Sequence, residues 1–190
     1  IGTQVISKGY NFPHITKVII IDFDLSLYGG DLRAAEKTFQ LISQVSGRAG
    51  RGKKPGEVFI QTFDINNPII DYLVLNDRDS FLKQELIARE QSKLPPFIKL
   101  VSLIVYGKDK LKVESMAKSI RSFFINNENI KVLGPVPSPI SFLRGNYRYR
   151  LLIKTNSLSC IRKIIREIQL KLKWNNTVRL KVDVDPYSFM

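Results

Sequence analysis

The sequence predicts an α/β protein built in two parts, and three observations carry that reading. In the first half, short continuous runs of β-branched residues alternate with segments of helical apolar spacing. Leu94-Pro95-Pro96-Phe97 interrupts that pattern, and a new order of strands and helices starts after it. The charge divides in the same place: residues 1–95 hold 12 Lys and Arg against 11 Asp and Glu, and residues 96–190 hold 18 against 6.

Lys17-Val18-Ile19-Ile20-Ile21-Asp22-Phe23 is a continuous β-branched run, the kind that suits a strand buried on both faces of a parallel sheet. Leu32, Ala35, Phe39 and Ile42 recur at helical spacing and predict a helix over 32–45. Gly47, Gly50, Gly52, Pro55 and Gly56 end it. Residues 57–62 form a second strand, and 68–75 and 78–91 form helices, the latter with Phe81, Leu82, Leu86 and Ile87 inward. This strand–helix–strand–helix order is the mark of an α/β layer with a parallel sheet. It gives a first domain over 1–93 and a proline-rich hinge over 94–97.

A second domain, 98–190, follows. Residues 98–106 form a strand. Val113, Met116, Ala117, Ile120 and Phe124 line one face of a helix. Residues 130–133 form a strand that runs into Gly134-Pro135-Val136-Pro137-Ser138-Pro139, expected as a rigid loop. Residues 147–153 form a strand, and Ile161, Ile164, Ile165, Ile168 and Leu172 form a helical stripe. Val178, Leu180, Val182 and Val184 alternate with Arg179, Lys181, Asp183 and Asp185 as a half-exposed strand. The order β-α-β-β-α-β is that of an α+β, ferredoxin-like split βαβ, which puts both helices on one sheet face and leaves the other open.

Composition bounds the function. Apolar residues at 44% and charged residues at 25% suit a chain with a real core and exclude a disordered tail or a collagen-like fibre. No apolar run reaches the roughly 18–20 residues of a membrane span. One cysteine, Cys160, allows no internal disulfide, and Cys160 with His14 makes no zinc site. The chain starts at Ile1 with no signal-peptide pattern and reads as a piece of something longer. The basic second half points to nucleic acid or an acidic partner.

Two stretches carry candidate chemistry. In Gln44-Val45-Ser46-Gly47-Arg48-Ala49-Gly50-Arg51, two arginines flanked by glycines sit at a helix end. Glycine lets backbone approach a ligand, and arginine presents a planar fork of donors that matches phosphate oxygens. Gln44 suits orienting a water or a phosphate. A basic helix terminus complementing the helix dipole satisfies the same spacing. In Gly2-Thr3-Gln4-Val5-Ile6-Ser7-Lys8-Gly9-Tyr10-Asn11-Phe12-Pro13, Thr3 and Lys8 suit phosphate contacts and Gly9 a tight turn; an ordinary loop reads the same way. Asp22 and Asp24, at the strand end, read as structural acids.

In this order, separated by one strand and one helix, the two stretches resemble motifs V and VI of superfamily 2 helicases. Motif V, G-T-x-x-x-x-x-G-x-[DN]-x-P, is matched by Gly2, Thr3, Gly9, Asn11 and Pro13. Motif VI, Q-x-x-G-R-x-G-R, is matched by Gln44, Gly47, Arg48, Gly50 and Arg51. Within that superfamily Asp31-Leu32-Arg33-Ala34-Ala35-Glu36, the 94–97 hinge, Gly134-Pro135-Val136-Pro137, Tyr147-Arg148-Tyr149 and Asp183-Val184-Asp185-Pro186 resemble the primosomal protein N′ (PriA) family of bacterial replication-restart helicases.

The resemblance implies that 1–93 is the later part of a second RecA-like lobe and that 98–190 is a C-terminal DNA- and partner-binding domain. It implies an ATP-dependent 3′-to-5′ DNA helicase that acts at abandoned forks, with ATP and Mg held between two lobes. Arg51 would be the arginine finger, with Arg48 and Gln44 supporting the same phosphate. Thr3 and Lys8 would meet the DNA backbone, and Gly9 and Asn11 would lie near the nucleotide. The chain has no G-x-x-x-x-G-K-[ST] and none of the family's cysteine-rich zinc module, so both are expected upstream of residue 1. Expected partners are forked DNA, single-stranded DNA-binding protein through its acidic tail, and other primosome proteins, in the bacterial cytoplasm at the nucleoid.

In the second half, Tyr147, Tyr149, Leu151 and Ile153 alternate with Arg148, Arg150, Leu152 and Lys154, so one set faces the helices and the other the open sheet face. The sequence leaves open which. Arg144, Arg148, Arg150, Arg179 and Lys181 would track phosphates, and Tyr147 would stack on a base if the faces were reversed. Arg162, Lys163, Arg166, Lys171 and Lys173 make a second basic face on the last helix. A reading from another class remains: a non-catalytic nucleic-acid-binding module on a degenerate RecA-like lobe. An intact Walker A motif upstream decides between them.

Overall fold

The computed structural model describes residues 15–28, 31–50, 55–125, 127, 129–172, 174 and 177–186. The chain is a mixed α/β protein that divides into two compact units, Ile1–Leu86 and Ile87–Met190.

In the first unit, β1 (Lys17–Ile20) pairs in parallel with β2 (Glu57–Ile60), in register from Lys17↔Glu57 to Ile20↔Ile60. The connection between them carries α1 (Ala34–Ser46), followed after β2 by α2 (Pro68–Leu75) and α3 (Arg78–Gln91). Asn67 caps α2 by accepting from the Ile69 N–H at 3.1 Å, with Pro68 in the first turn where its missing N–H costs nothing. Phe39 of α1 stacks on Phe81 of α3 with centroids 4.5 Å apart, and Tyr72 of α2 meets the same ring edge-on at 6.1 Å. Phe23 and Ile42 are also buried in this unit.

The apolar run expected to be buried on both faces is not: Ile19 is 68% and Phe59 48% exposed. Two strands covered by helices on one side leave the other side open. The run also ends earlier than expected, at Ile20. Asp22 takes φ 55° and accepts from the Leu25 N–H at 3.2 Å, which starts a 3-10 turn over Asp24–Ser26.

The second unit contains β3 (Lys99–Gly107), α4 (Lys110–Ser122), β4 (Ile130–Leu143), β5 (Asn146–Thr155), α5 (Leu158–Lys171) and β6 (Val178–Val184). The strands form one antiparallel sheet in the order β4-β5-β3-β6. Val101, Leu103 and Val105 of β3 and Leu151 and Ile153 of β5 pack with Val113, Ala117 and Ile120 of α4 and Ile161, Ile164 and Ile168 of α5. Asp109 caps α4 by accepting from the Leu111 and Lys112 N–H groups. Partly buried Trp174, Cys160 and Phe123 pack around this core.

The proline-rich stretch of the second unit is corrected as well. Gly134–Pro139 is not a loop but part of β4, which runs to Leu143 with register shifts between Leu133 and Val136 and between Pro137 and Phe142. β4 is an edge strand, so prolines there forfeit no ladder bond on the outer side, and the shifts absorb the rest. Leu94-Pro95-Pro96-Phe97 lies inside the second unit and the division falls within α3. Hydrogen bonds hold it there: the Arg89 guanidinium donates to Pro95 O at 3.2 Å, and just before the segment Lys154 Nζ donates to Ser92 O and Lys93 O, each at 3.3 Å.

Candidate functional site

The glycine-arginine turn follows α1 directly. Gly47 caps the helix, its N–H bonding to Ser43 O at 3.1 Å, and the Arg48 and Ala49 N–H groups close on Val45 O and Ser46 O. Gly50 takes φ 74°, and a Cβ there would meet Gly56 N at 2.5 Å; a Cβ on Gly56 would meet the Ala49 backbone at 2.4 Å. Only glycine lets the two strands of this loop cross so closely. The Gly50 N–H donates to Ile15 O at 2.9 Å and the Glu57 N–H to Thr16 O at 2.8 Å. The end of the second motif is thereby laced to the residues that follow the first. Gln44 is exposed on α1 and Arg48 is half-buried. Thr3, Lys8, Gly9, Asn11 and Arg51 lie outside the described residues.

Asp24 is buried and accepts from Thr62 Oγ1 at 3.0 Å and from the Phe63 N–H at 2.8 Å. It ties the exit of β1 to the exit of β2, a structural task. Asp31, in the stretch before α1, bonds Lys37 Nζ and the Arg33 N–H. Burial raises its carboxyl, but the Lys37 bond, the Arg33 N–H and the two cations outweigh that and hold it below its ordinary value.

In the second unit the sheet register decides which side chains share a face. Tyr149 of β5 sits opposite Val105, and Tyr147 opposite Gly107, on the side of the helices. Tyr149 is buried there and donates to Glu114 Oε2 of α4 at 2.9 Å. Tyr147 shares that side, its ring tilted against Phe142 with centroids 4.9 Å apart. The alternate residues turn to the other face. Across it Arg148, Tyr106 and Arg179 form one row, and Arg150, Ile104 and Lys181 the next. Four cations from β5 and β6 thus bracket two side chains of β3. Arg144 stands apart, exposed at the β4–β5 turn, where Arg144 and Gly145 both take positive φ, as a two-residue hairpin of this hand requires.

No carboxylate comes within ion-pair reach of Arg148, Arg179 or Lys181 among the described residues. The Arg150 guanidinium is pushed down from its ordinary value by burial first and by Arg148 second. Cations crowded on one face are what an anionic polymer neutralises. At the far end of the face, Lys154 is spent on the Ser92 and Lys93 carbonyls. At the near end, Tyr106, Gly107, Lys108, Asn146, Thr177 and Arg179 line a cleft of about 420 Å³. Gly107 has no room for a side chain: a Cβ would meet Thr177 O at 2.3 Å, so β6 enters the sheet pressed against β3.

Sequence reasoning missed Tyr106 and Lys108. Tyr106 ends an apolar run and reads as core; only the pairing of β3 between β5 and β6 sets it among arginines. On α5, Arg162, Lys163 and Arg166 are exposed away from the core, and Lys171 pairs with Glu167 at 3.0 Å; Lys173 lies outside the described residues. No three His, Cys, Asp or Glu side chains gather as a metal set among the described residues, and Cys160 Sγ accepts from Asn127 Nδ2 at 3.1 Å. No helix of the described residues is long and apolar enough to cross a membrane.

Comparison with known proteins fits this arrangement. Residues 90–187 match the model of the primosomal protein N C-terminal domain. Over 189 residues the chain is 42% identical to the replication restart protein PriA of Rickettsia conorii, covering all of this chain and 29% of that protein. It is 38% identical to the protein of the same name in Haemophilus influenzae over 98% of this chain and 26% of that one. The figure for Bacillus subtilis is 36%, over the whole of this chain and 24% of the relative. The chain thus spans under a third of the length of these relatives. The match covers the sheet, both of its helices and the row of cations, and on that ground the chain belongs to the primosomal protein N (PriA) family and carries its C-terminal domain.

Proposed function

We propose that this chain is part of an ATP-dependent 3′-to-5′ DNA helicase that acts in replication restart at abandoned forks, and that its second unit grips DNA with the cations on the sheet face opposite its helices, flanking a central strand whose Leu100, Ser102 and Ile104 are buried. The observation that carries the DNA reading is the pair of rows Arg148–Tyr106–Arg179 and Arg150–Ile104–Lys181. Guanidinium forks there meet phosphate oxygens and fix the register of a strand without reading its sequence. The strand order β4-β5-β3-β6, with both helices on one side, supports the ferredoxin-like reading of this unit.

For the first unit we propose the later part of a second RecA-like lobe. The parallel β1–β2 pair and the exposed Ile19 and Phe59, which share one face, support it, since helices of the rest of such a lobe would cover that face. The residues that would serve ATP here are the guanidinium donors Arg48 and Arg51, with Gln44; they would meet phosphate oxygens, and Mg, which takes oxygen ligands, belongs in this reading to the phosphates and to the longer protein. When bound, ATP supplies the phosphoryl group whose cleavage drives movement along DNA. The chain's own share is to place positive charge beside that group, next to a point where the Gly50 and Gly56 backbones approach too closely for a side chain. Zinc belongs in this reading to the cysteine-rich module of the longer protein. Single-stranded DNA-binding protein, through its acidic tail, and the primosome proteins are the proposed partners, with the exposed basic face of α5 as the surface for the tail.

The test is DNA binding by the 190-residue chain over a range of salt. Arg148→Ala with Arg150→Ala should flatten the plot of log affinity against log salt by about two units, near one per lost phosphate contact. Every DNA sequence should weaken alike. An unchanged slope in a folded double variant overturns the assignment of the sheet face.

A further inference from the structure

We propose that Tyr106 is a stacking platform for an unpaired base, in a nucleotide subsite whose phosphates are held by Arg148, Arg179 and Lys108. The proposal rests on the sheet-face reading above and adds to it that the occupant is single-stranded.

Three observations point to a base as well as to phosphates. First, register puts the Tyr106 ring in the middle of its row, on the central strand β3, with one guanidinium on each side. Adjacent strands lie about 4.8 Å apart, so the two arginine backbones stand about 10 Å apart with the ring between them. A base laid on the ring would have its own and its neighbour's phosphate within reach of long side chains on both flanks. Second, Tyr106 contrasts with Tyr149 on the opposite face. The Tyr149 hydroxyl is spent on Glu114 and its ring is buried in the core. The Tyr106 ring is half-buried, and its hydroxyl makes no hydrogen bond among the described residues. Third, the ring does not stand on a flat surface. It forms one wall of the 420 Å³ cleft whose other walls are Gly107, Lys108, Asn146, Thr177 and Arg179. That volume is in the range of small-ligand sites, roughly 300–1,000 Å³.

The charge on this end of the face explains why a nucleotide fits better than an apolar group. Arg148, Arg179 and Lys108 have no carboxylate within ion-pair reach among the described residues. Base–aromatic stacking between cationic flanks tolerates any base, because every base offers a π face. Duplex DNA keeps its bases stacked inside the helix and reaches only the arginines. The subsite therefore favours single strands and junctions over closed duplex.

The experiment uses the 190-residue chain and three probes: a short single-stranded DNA, the same length with every nucleotide abasic, and a closed duplex. The abasic strand keeps the phosphates and removes the bases. The unsubstituted chain should bind the normal strand about tenfold more tightly than the abasic one, the scale of one stacked base. Tyr106→Leu should erase that preference while leaving the salt slope and the duplex affinity unchanged. Tyr106→Phe, which keeps the ring, should retain the preference. A normal preference in Tyr106→Leu, or an equal loss on all three probes, overturns the proposal. Should Tyr106→Leu not fold, a 2-aminopurine strand on the unsubstituted chain reads the same contact. Stacking quenches that base, and absence of quenching overturns the proposal. Arg148→Ala with Arg179→Ala separates the two readings. If it weakens all three probes while the base preference is absent, the phosphate interface stands and the stacking subsite falls. If it changes none of them, the sheet-face reading falls with it.

Discussion

The Tyr149 hydroxyl on β5 donates to Glu114 Oε2 on α4 at 2.9 Å, while the other Glu114 oxygen pairs with Lys118 at 2.6 Å. Because side chains alternate along a strand, anchoring Tyr149 to the helix layer turns Arg148 and Arg150 to the opposite face. The bond thus links the fold of the domain to the position of its cations.

That bond has a pH signature. The Lys118 hydrogen bond first, and Tyr149 second, hold the Glu114 carboxyl below its ordinary value. The hydrogen bond to Glu114 first, and burial second, push the Tyr149 phenol up. A lowered carboxyl favours the charged form in the folded state, so its contribution is present above the ordinary glutamate value. It is lost as pH falls through the lowered one. The raised phenol works the other way, contributing below the ordinary tyrosine value and losing that contribution as pH rises through the raised one. Tyr149→Phe should lower Tm by a few degrees at neutral pH and shrink the alkaline fall, of which the Lys118 ammonium, also raised by Glu114, keeps a share. Glu114→Gln should shrink the acid limb, to which Asp31 and Asp77, also held low, continue to contribute. Urea midpoints measured across pH check both, and an alkaline limb unchanged in Tyr149→Phe would sink the linkage.

Gly107→Ala should destabilise the second unit by about 1–3 kcal/mol, the usual cost of forcing an atom into a packed site. The added Cβ would lie 2.3 Å from Thr177 O, which is backbone and has no rotamer to move out of the way. β6 would have to lift from β3 at Val178, and the cleft beside Tyr106 would widen. Chemical unfolding reads the loss. Gly145→Ala is the contrast, because nothing lies within 4 Å of a Cβ there. Its cost comes only from the left-handed φ of 76°.

The elements of the second unit were legible because its strands alternate and its helices carry clean apolar stripes. Val178, Leu180 and Val182 against Arg179 and Lys181 announce a strand with two unlike faces. The assignment of faces was not legible, because Tyr147 and Arg148 fit either side. Burial of Leu151 and Ile153 against the helices, with the bond from Tyr149 to the distant Glu114, makes the choice. The extension of β4 through Pro135 and Pro137 was missed because local chemistry favours a break there. Edge position overrides that, and edge position is a property of the whole sheet. In the first unit the motif spacing named Arg48 and Gln44. The lacing of Gly50 to Ile15 has no signal in the sequence, since backbone bonds leave no mark on composition.

Arg51→Ala in the full-length protein should lower ATP turnover by roughly 10³-fold or more, the scale of an arginine finger. DNA affinity without nucleotide should change little. The 190-residue chain alone should show no DNA-stimulated ATP hydrolysis, since its sequence has no P-loop to cradle the β- and γ-phosphates. Turnover by this chain above background, or near-normal turnover with lost DNA binding in Arg51→Ala, would reassign the arginine.

The two basic faces of the second unit should separate under charge reversal. Arg179 lies on the sheet face beside Tyr106, and Arg166 lies on the exposed side of α5, across the core from it. Each reversal changes net charge by the same amount, so any general effect of charge on DNA binding is common to both. Arg179→Glu also places a carboxylate where a phosphate is expected, so it should weaken DNA binding about tenfold or more at moderate salt and reduce the salt slope. Arg166→Glu should cost DNA affinity far less. It should instead weaken binding of an acidic peptide, if α5 is the surface that takes one. Fluorescence anisotropy with a labelled single strand and a labelled acidic peptide measures both on the same samples. Equal losses of DNA affinity in the two variants would mean that the domain attracts DNA through its net charge alone, without a defined face.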